Sequence, residues 1–164
     1  MASIKFSNDK QFAEKLLEFE RMFDDVETLN NLVYQGAKIV ADEIRKKLAA
    51  LPEDEFRKLK PGEKFRGVPR SVKDDLLSSF GLAPIESDKN GFRNTKAGFD
   101  GYGSRPTKKY PNGVPNQLVA RAVESGSSVR QKTPFVRPAV RKARKMAIEK
   151  MEKTMDEMLK EAFG

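Results

Sequence analysis

With 164 residues, 38% of them apolar and 34% charged, the chain is sized for one domain whose core is lean, leaving surface for loops or an assembly interface. The absence of His and Cys excludes imidazole proton transfer, disulfides, and zinc or thiolate centres; only carboxylate oxygens remain for hard cations. The net charge of +8 is uneven: residues 1–55 hold 8 Lys and Arg against 12 Asp and Glu, while residues 56–164 hold 24 against 12. Such asymmetry suits an anionic partner or a complementary neighbouring subunit, although a solvated basic surface is the commoner cause.

No stretch approaches the roughly 20 apolar residues of a membrane span, and "MASIKFSNDK" lacks the apolar core of a secretory signal. The expectation is an intracellular product with no membrane contact. "GFDGYGSRP" fits no phosphate-cradling spacing, so nothing points to an enzyme, a cofactor or a metal.

In chain order, "NDKQFAEKLLEFERMFDD" predicts a first helix. Phe12, Leu16, Phe19 and Phe23 make its stripe, Leu17 and Met22 widen it, and Asn8 or Asp9 caps it. A second helix is predicted from about Thr28 to Ala50, buried along Leu29, Val33, Ala37, Val40, Ile44 and Leu48. Gly36 within that stripe admits a close neighbour. Residues 52–70 read as a surface loop, mobile and basic. "SVKDDLLSSFGL" predicts a helical turn or the start of a strand. Asn90-Gly91 signals a hairpin with a type I′ turn.

Residues 98–117, rich in Gly and Pro, predict a second mobile loop. Within it, Tyr102 and Tyr110 stand among Arg105, Lys108 and Lys109, a mixture suited to stacking on bases or anchoring an interface, or to a flexible insertion with no task. Alternation over Leu118 to Glu124 predicts a strand, ended by Gly126. A final helix runs to about Phe163, with a stripe of Val140, Ala143, Ala147, Met151, Met155, Met158 and Ala162, and Ile148 and Leu159 alongside.

The junction into that helix is "QKTPFVRPAVRKARK". Pro138 fits at or near the first helical position, and the residues before each proline, Thr133 and Arg137, favour extended backbone. Phe135 is expected to pin the segment into the core. The stretch from Arg130 to Lys145 holds seven cations, Arg130, Lys132, Arg137, Arg141, Lys142, Arg144 and Lys145, and no acid, although cations in a helix's first turns oppose its dipole. A phosphate backbone, an acidic partner or a solvated face would each account for them; no helix-turn-helix or RNA-binding motif accompanies them.

Two stretches bear a family likeness. "LVARAVESGS", with Glu124 and Gly126, is similar to a strand ending in Glu-x-Gly, and "KTPFVRPAV", with Pro134, Phe135, Pro138 and Ala139, is similar to a Pro-Phe-x-x-Pro-Ala signature. In these and in its order of segments the chain resembles the tail-completion, or head–tail joining, proteins of long-tailed bacteriophages, the family of the lambdoid minor tail protein Z. Ser125 stands where that family often carries an aromatic residue.

The resemblance implies one α+β domain over residues 1–164, with two N-terminal helices and a long C-terminal helix packed on a small, mainly antiparallel sheet. It implies a non-enzymatic virion protein that forms a homo-oligomeric ring (a hexamer is one option) at the head-proximal end of the tail. Its partners would be tail-tube or tail-terminator subunits and head connector proteins, with non-specific DNA contact in the lumen as a further option. The alternative reading is a basic nucleic-acid-binding protein.

Overall fold

A computed structural model describes residues 14, 16–18, 20, 21 and 24–163, without the side chain of residue 162. The described positions from 14 to 24 are helical. Phe12, Phe19, Met22 and Phe23 of the expected stripe, and both candidate caps, lie outside the described residues.

The chain is α+β. Helix α1 spans Val26–Ala49, α2 Arg70–Ser79, α3 Asn116–Ser125 and α4 Val136–Phe163. Between α2 and α3 lie β1 (Phe80–Leu82), β2 (Glu86–Ser87), β3 (Arg93–Asn94) and β4 (Ala97–Phe99). Asp25 sets the start of α1, its carboxylate accepting the N–H groups of Glu27 and Thr28 at 3.4 and 3.0 Å.

The four strands form one interrupted hairpin. β1 pairs antiparallel with β4 in the register Phe80–Phe99, Gly81–Gly98, Leu82–Ala97, and β2 pairs with β3 through Glu86–Asn94 and Ser87–Arg93. Three residues separate β1 from β2 but two separate β3 from β4, so one extra residue, in the stretch that holds Pro84, bulges the ladder. The tip departs from the expected type I′ turn. That turn needs positive φ at both central residues, and only Gly91 (φ 83°) has it here. Gly91 N donates to Asp88 O and Asp88 N to Phe92 O, the bonding of a three-residue loop closed by a left-handed glycine. The Asp88 carboxylate fixes this choice by accepting from Asn90 N and Phe92 N at 2.8 and 3.0 Å.

The principal helix contact is α4 lying antiparallel along α1. Thr154 bonds Gln35 at one end, and Lys142 Nζ reaches Glu43 Oε1 at 2.8 Å toward the other. Small residues line this seam: Ala139, Ala143 and Ala147 are buried on α4, facing Gly36 and Ala41 on α1. A Cβ on Gly36 would overlap Met151 Sδ, so the close approach expected at this glycine is present. The expected α4 stripe is buried at Ala143 and Ala147 and half-buried at Met151, Met155 and Met158; only its first position moves, from Val140, which is 39% exposed, to Ala139, which is fully buried, and Ile148 alongside it is 46% exposed. The small side chains at 139, 143 and 147 allow the two helix axes to approach closely.

Above the seam, Ile44, Leu48, Leu76, Phe80, Val123 and Phe135 join one core. Residues 52–70 close on themselves rather than straying: Asp54 N and Val68 O, and Val68 N and Pro52 O, are bonded at 3.1 and 2.9 Å. Phe65 of this segment is buried, and Arg57 bridges Asp54 and Glu63. The expected loop 98–117 begins in β4 and ends in α3. Between them Gly103 N bonds Val114 O and Asn116 N bonds Gly101 O, so its two arms are laced at the base.

The seam generates a paired prediction. Gly36→Leu should lower stability by about 1–3 kcal/mol through overpacking. Adding Met151→Ala should recover part of that loss, measured by urea denaturation. Equal midpoints for wild type and Gly36→Leu would refute the close contact.

Candidate functional site

The segment from Leu118 to Glu124, expected as a strand, is the body of helix α3. Alternation over so few residues is ambiguous, and the buried set Asn116, Ala120, Val123 and Glu124 follows helical spacing instead. This correction moves Glu124 to the inner face of a helix end. Gly126 (φ 79°) then turns the chain, and Thr133 N bonds back to Val123 O at 2.9 Å.

The return brings the start of α4 onto the Glu124 carboxylate. Oε2 accepts from Phe135 N at 2.7 Å and Val136 N at 2.9 Å, and Oε1 accepts from Arg137 N at 3.1 Å. Those are orphan donors of the helix's first turn, and a carboxylate there also answers the positive end of the dipole. Thr133 stays outside the helix, but Arg137 is its second residue and Pro138 its third. The capping bonds hold Arg137 helical against the usual preference of a residue before proline. Pro138, which has no N–H, falls where none can be used within the helix.

Phe135, 1% exposed, fills the space beside this cap, its ring centroid 6.1 Å from that of Phe99 in an edge-on contact. Burial would raise the Glu124 carboxyl, but the N–H bonds from Val136, Phe135 and Arg137 outweigh it and hold the group below its ordinary value of 4.5. Five of the six motif residues, Glu124, Gly126, Phe135, Pro138 and Ala139, are buried or half-buried, while Pro134 is exposed. The buried five make one junction between α3 and α4.

Next to it a groove of 730 Å³ opens between the β1–β4 ladder, α3 and the start of α4. Its lining is mostly apolar, with Leu82, Ala97, Phe99 and Val136, and its cations are Lys96, Arg121 and Arg137. A second cavity, of 520 Å³, lies under the laced loop, lined by Phe56, Val72, Tyr110, Val114 and Val119. Among the described residues no group of acidic side chains is placed to hold a metal ion, and no helix is long and apolar enough to cross a membrane.

The seven cations of the junction divide. Arg130 points inward, bonding Gly67 O and lying 5.7 Å from the Phe65 ring centroid, where burial lowers its pKa. Lys142 is engaged with Glu43, whose carboxyl is held below its ordinary value first by that hydrogen bond. Lys145 reaches Glu149 at 3.6 Å, and Arg137 Nε lies 3.8 Å from Glu124. Lys132, Arg141 and Arg144 are exposed, with no ion pair among the described residues.

In the laced loop, Arg105 stacks 3.7 Å from the Phe56 ring centroid and Lys109 lies 5.5 Å from that of Tyr110. Lys108 is exposed, as is Tyr102 at 65%. The candidate residues are therefore dispersed over a junction, a loop and a helix face. Sequence reasoning missed Arg121 and Lys96, which line the same groove as Arg137 only because the hairpin folds beside α3. Against protein-family models, curated proteins and solved structures, the chain finds no match.

Glu124→Ala should cost roughly 2–4 kcal/mol by stranding three N–H groups, and Glu124→Gln, which keeps one acceptor, about half of that. Because the folded carboxyl sits below 4.5, its contribution is complete above that pH and lost as pH falls through the folded value. Urea midpoints measured from pH 7 down to pH 3 should thus converge for wild type and Glu124→Gln. A gap that stays constant into acid would remove the charged cap from the account.

Proposed function

We propose that this chain is a bacteriophage or prophage virion subunit of the tail-completion type, acting by assembly at the head–tail junction rather than by catalysis. The observation that carries the reading is the convergence of its two family-like stretches. Glu124 and Gly126, at the end of a helix here rather than of the strand in the resemblance, meet Phe135, Pro138 and Ala139 in one junction in which the Glu caps the helix and the Phe fills the core. A motif pair that sets a helix's direction suits a subunit whose long helix must be presented identically by every copy.

The surface supports the same reading. Tyr34, Phe92 and Tyr102 are exposed aromatics of the kind that anchor interfaces. The charge division between residues 1–55 and the remainder suits contact between unlike surfaces of neighbouring copies. Repeated head to tail, such contacts close into a ring when the rotation allows. The ring would meet tail-tube or terminator subunits on one side and the head connector on the other.

Deleting the gene from the phage or prophage that carries it should leave separate heads and tails in the lysate, seen by electron microscopy. Complementation with wild type should restore joined particles, whereas intact virions from the deletion would overturn the proposal.

One observation favours nucleic-acid contact as a second reading. Arg137, Arg141, Arg144 and Lys145 form an exposed row on the face of α4 that turns away from its buried alanines. Under this reading the isolated subunit binds duplex DNA tightly, and Arg141→Glu with Arg144→Glu reduces the salt slope by about 2 in a fluorescence titration. Weak binding that needs the oligomer returns the row to the lumen of the assembled ring.

A further inference from the structure

We infer that Asp100 and Gly101 form a self-modification site, at which the chain slowly converts its own Asp100 linkage to isoaspartate and so unfastens the loop that follows β4. The inference stands independently of the assembly reading.

Two groups close the succinimide ring from which isoaspartate forms: the side-chain carboxyl or amide of an Asp or Asn, and the backbone nitrogen of the next residue. Gly101 N donates to Asp100 Oδ1 at 2.8 Å, so the fold holds these two groups side by side. The Asp100 carboxyl has no other hydrogen bond and no ion pair among the described residues. Both residues are exposed to water. Gly101 (φ 64°) has no side chain to shield its nitrogen, and nothing stands within 4 Å of where its Cβ would be. The backbone on either side is held, because Asp100 N donates to Ser79 O at 3.0 Å and Asp100 O accepts from Asn116 Nδ2 at 3.0 Å.

Two other places compete on local chemistry. Asn90-Gly91 and Asn112-Gly113 pair a better leaving group, ammonia, with the same unhindered type of nitrogen. In the fold both nitrogens are committed elsewhere: Gly91 N donates to Asp88 O at 3.0 Å and Gly113 N to Tyr110 O at 3.1 Å. Gly113 is also crowded, since a Cβ there would overlap Gly103 O. To attack its own Asn, each of these glycines must first break a turn bond. The fold therefore selects Asp100.

The step needs only the chain and water. Gly101 N bonds to Cγ of the neutral Asp100 acid and gives up its proton, and the carboxyl hydroxyl leaves as water. Water then adds to either ring carbonyl. Opening at Cγ restores Asp100, whereas opening at the former main-chain carbonyl routes the chain through Cβ as isoaspartate. Nothing is oxidised or reduced. The main chain is then longer by one methylene, and the carbonyl that accepted from Asn116 Nδ2 has become a free carboxylate. The added length falls at the lacing of the loop base, where Asn116 N bonds Gly101 O at 3.1 Å and Gly103 N bonds Val114 O at 2.9 Å. Residues 102–115, with Tyr102, Arg105 and Tyr110, thereby lose their fastening to the start of α3.

The full chain would be aged near neutral pH at physiological temperature, folded or in guanidinium chloride, and its peptides mapped by mass spectrometry with fragmentation that distinguishes isoaspartate. Isoaspartate at position 100 should form several-fold faster in the folded chain than in denaturant, and conversion of Asn90 and Asn112 several-fold slower. Asp100→Asn, which closes the same ring with loss of ammonia, should convert faster than wild type, whereas Asp100→Glu, whose longer side chain closes a less favoured ring, should not convert. In the isoaspartate fraction, hydrogen exchange should rise at the Asn116 and Gly103 amides but not at Phe135.

No isoaspartate at position 100, or equal rates in folded and denatured chains, would overturn the site. Conversion of Asn90 or Asn112 as fast in the folded chain as in denaturant would overturn the selection by the fold. Unchanged exchange at Asn116 would overturn the unfastening of the loop. If Asp100→Asn fails to fold by circular dichroism, the comparison of folded and denatured wild type decides alone.

Discussion

The carboxylate of Glu124 is the constraint on which the rest of the molecule hangs. Helix α4 begins with Val136, Arg137 and Pro138 and carries four cations between Arg141 and Lys145, so it offers its own N-terminus no acid and no side-chain cap. The missing acceptor arrives from another helix. By taking three consecutive N–H groups, Glu124 fixes the direction in which α4 leaves the core, and the packing of Phe135 beside it fixes the rotation. Both quantities must be right for Ala139, Ala143 and Ala147 to face α1 further along. A helix of 28 residues amplifies small errors at its root into large ones at its tip.

The same arrangement sorts the positive charge. Where the chain needs structure, a cation is drawn in: Arg130 onto Gly67 O and the Phe65 ring, Lys142 onto Glu43. Where α4 has no neighbour, Arg141 and Arg144 remain outward. A run that is uniform in sequence thus has two roles, one internal and one available to a partner. The groove beside the junction adds Lys96 and Arg121 from separate elements. These features describe a subunit whose interior is settled by few, specific bonds and whose surface is prepared for other chains.

Much of this was legible in the sequence where a signal is local. The extents of α1 and α4, the close approach at Gly36 and the anchoring by Phe135 follow from periodicity, a missing side chain and flanking prolines. The failures have a common cause in tertiary override. Helix α3 reads as alternation because Leu118, an apolar residue, remains exposed, and only the buried set of Asn116, Ala120, Val123 and Glu124 reveals the helical period. Arg137 obeys the capping carboxylate rather than the proline after it. The Asn-Gly turn yields to Asp88, whose two hydrogen bonds select another loop. Of the candidate site, the junction residues could be named from the sequence but not their chemistry. A helix capped by an acid from a different helix leaves no spacing to recognise.

The antiparallel seam also orders events in time. Gln35 and Thr154 bond across 119 residues, whereas Glu124 and Phe135 are only 11 apart. Closing the junction needs a short loop, and closing the seam needs nearly the whole chain. During synthesis at ordinary rates, α1 emerges roughly 5–25 seconds before the part of α4 that covers it. For that interval its narrow face of Gly36, Ala37 and Ala41 offers other chains little large apolar surface. A seam built from small side chains is therefore also a seam that can wait, which suits a helix whose bonding partner Thr154 is translated 119 residues after Gln35.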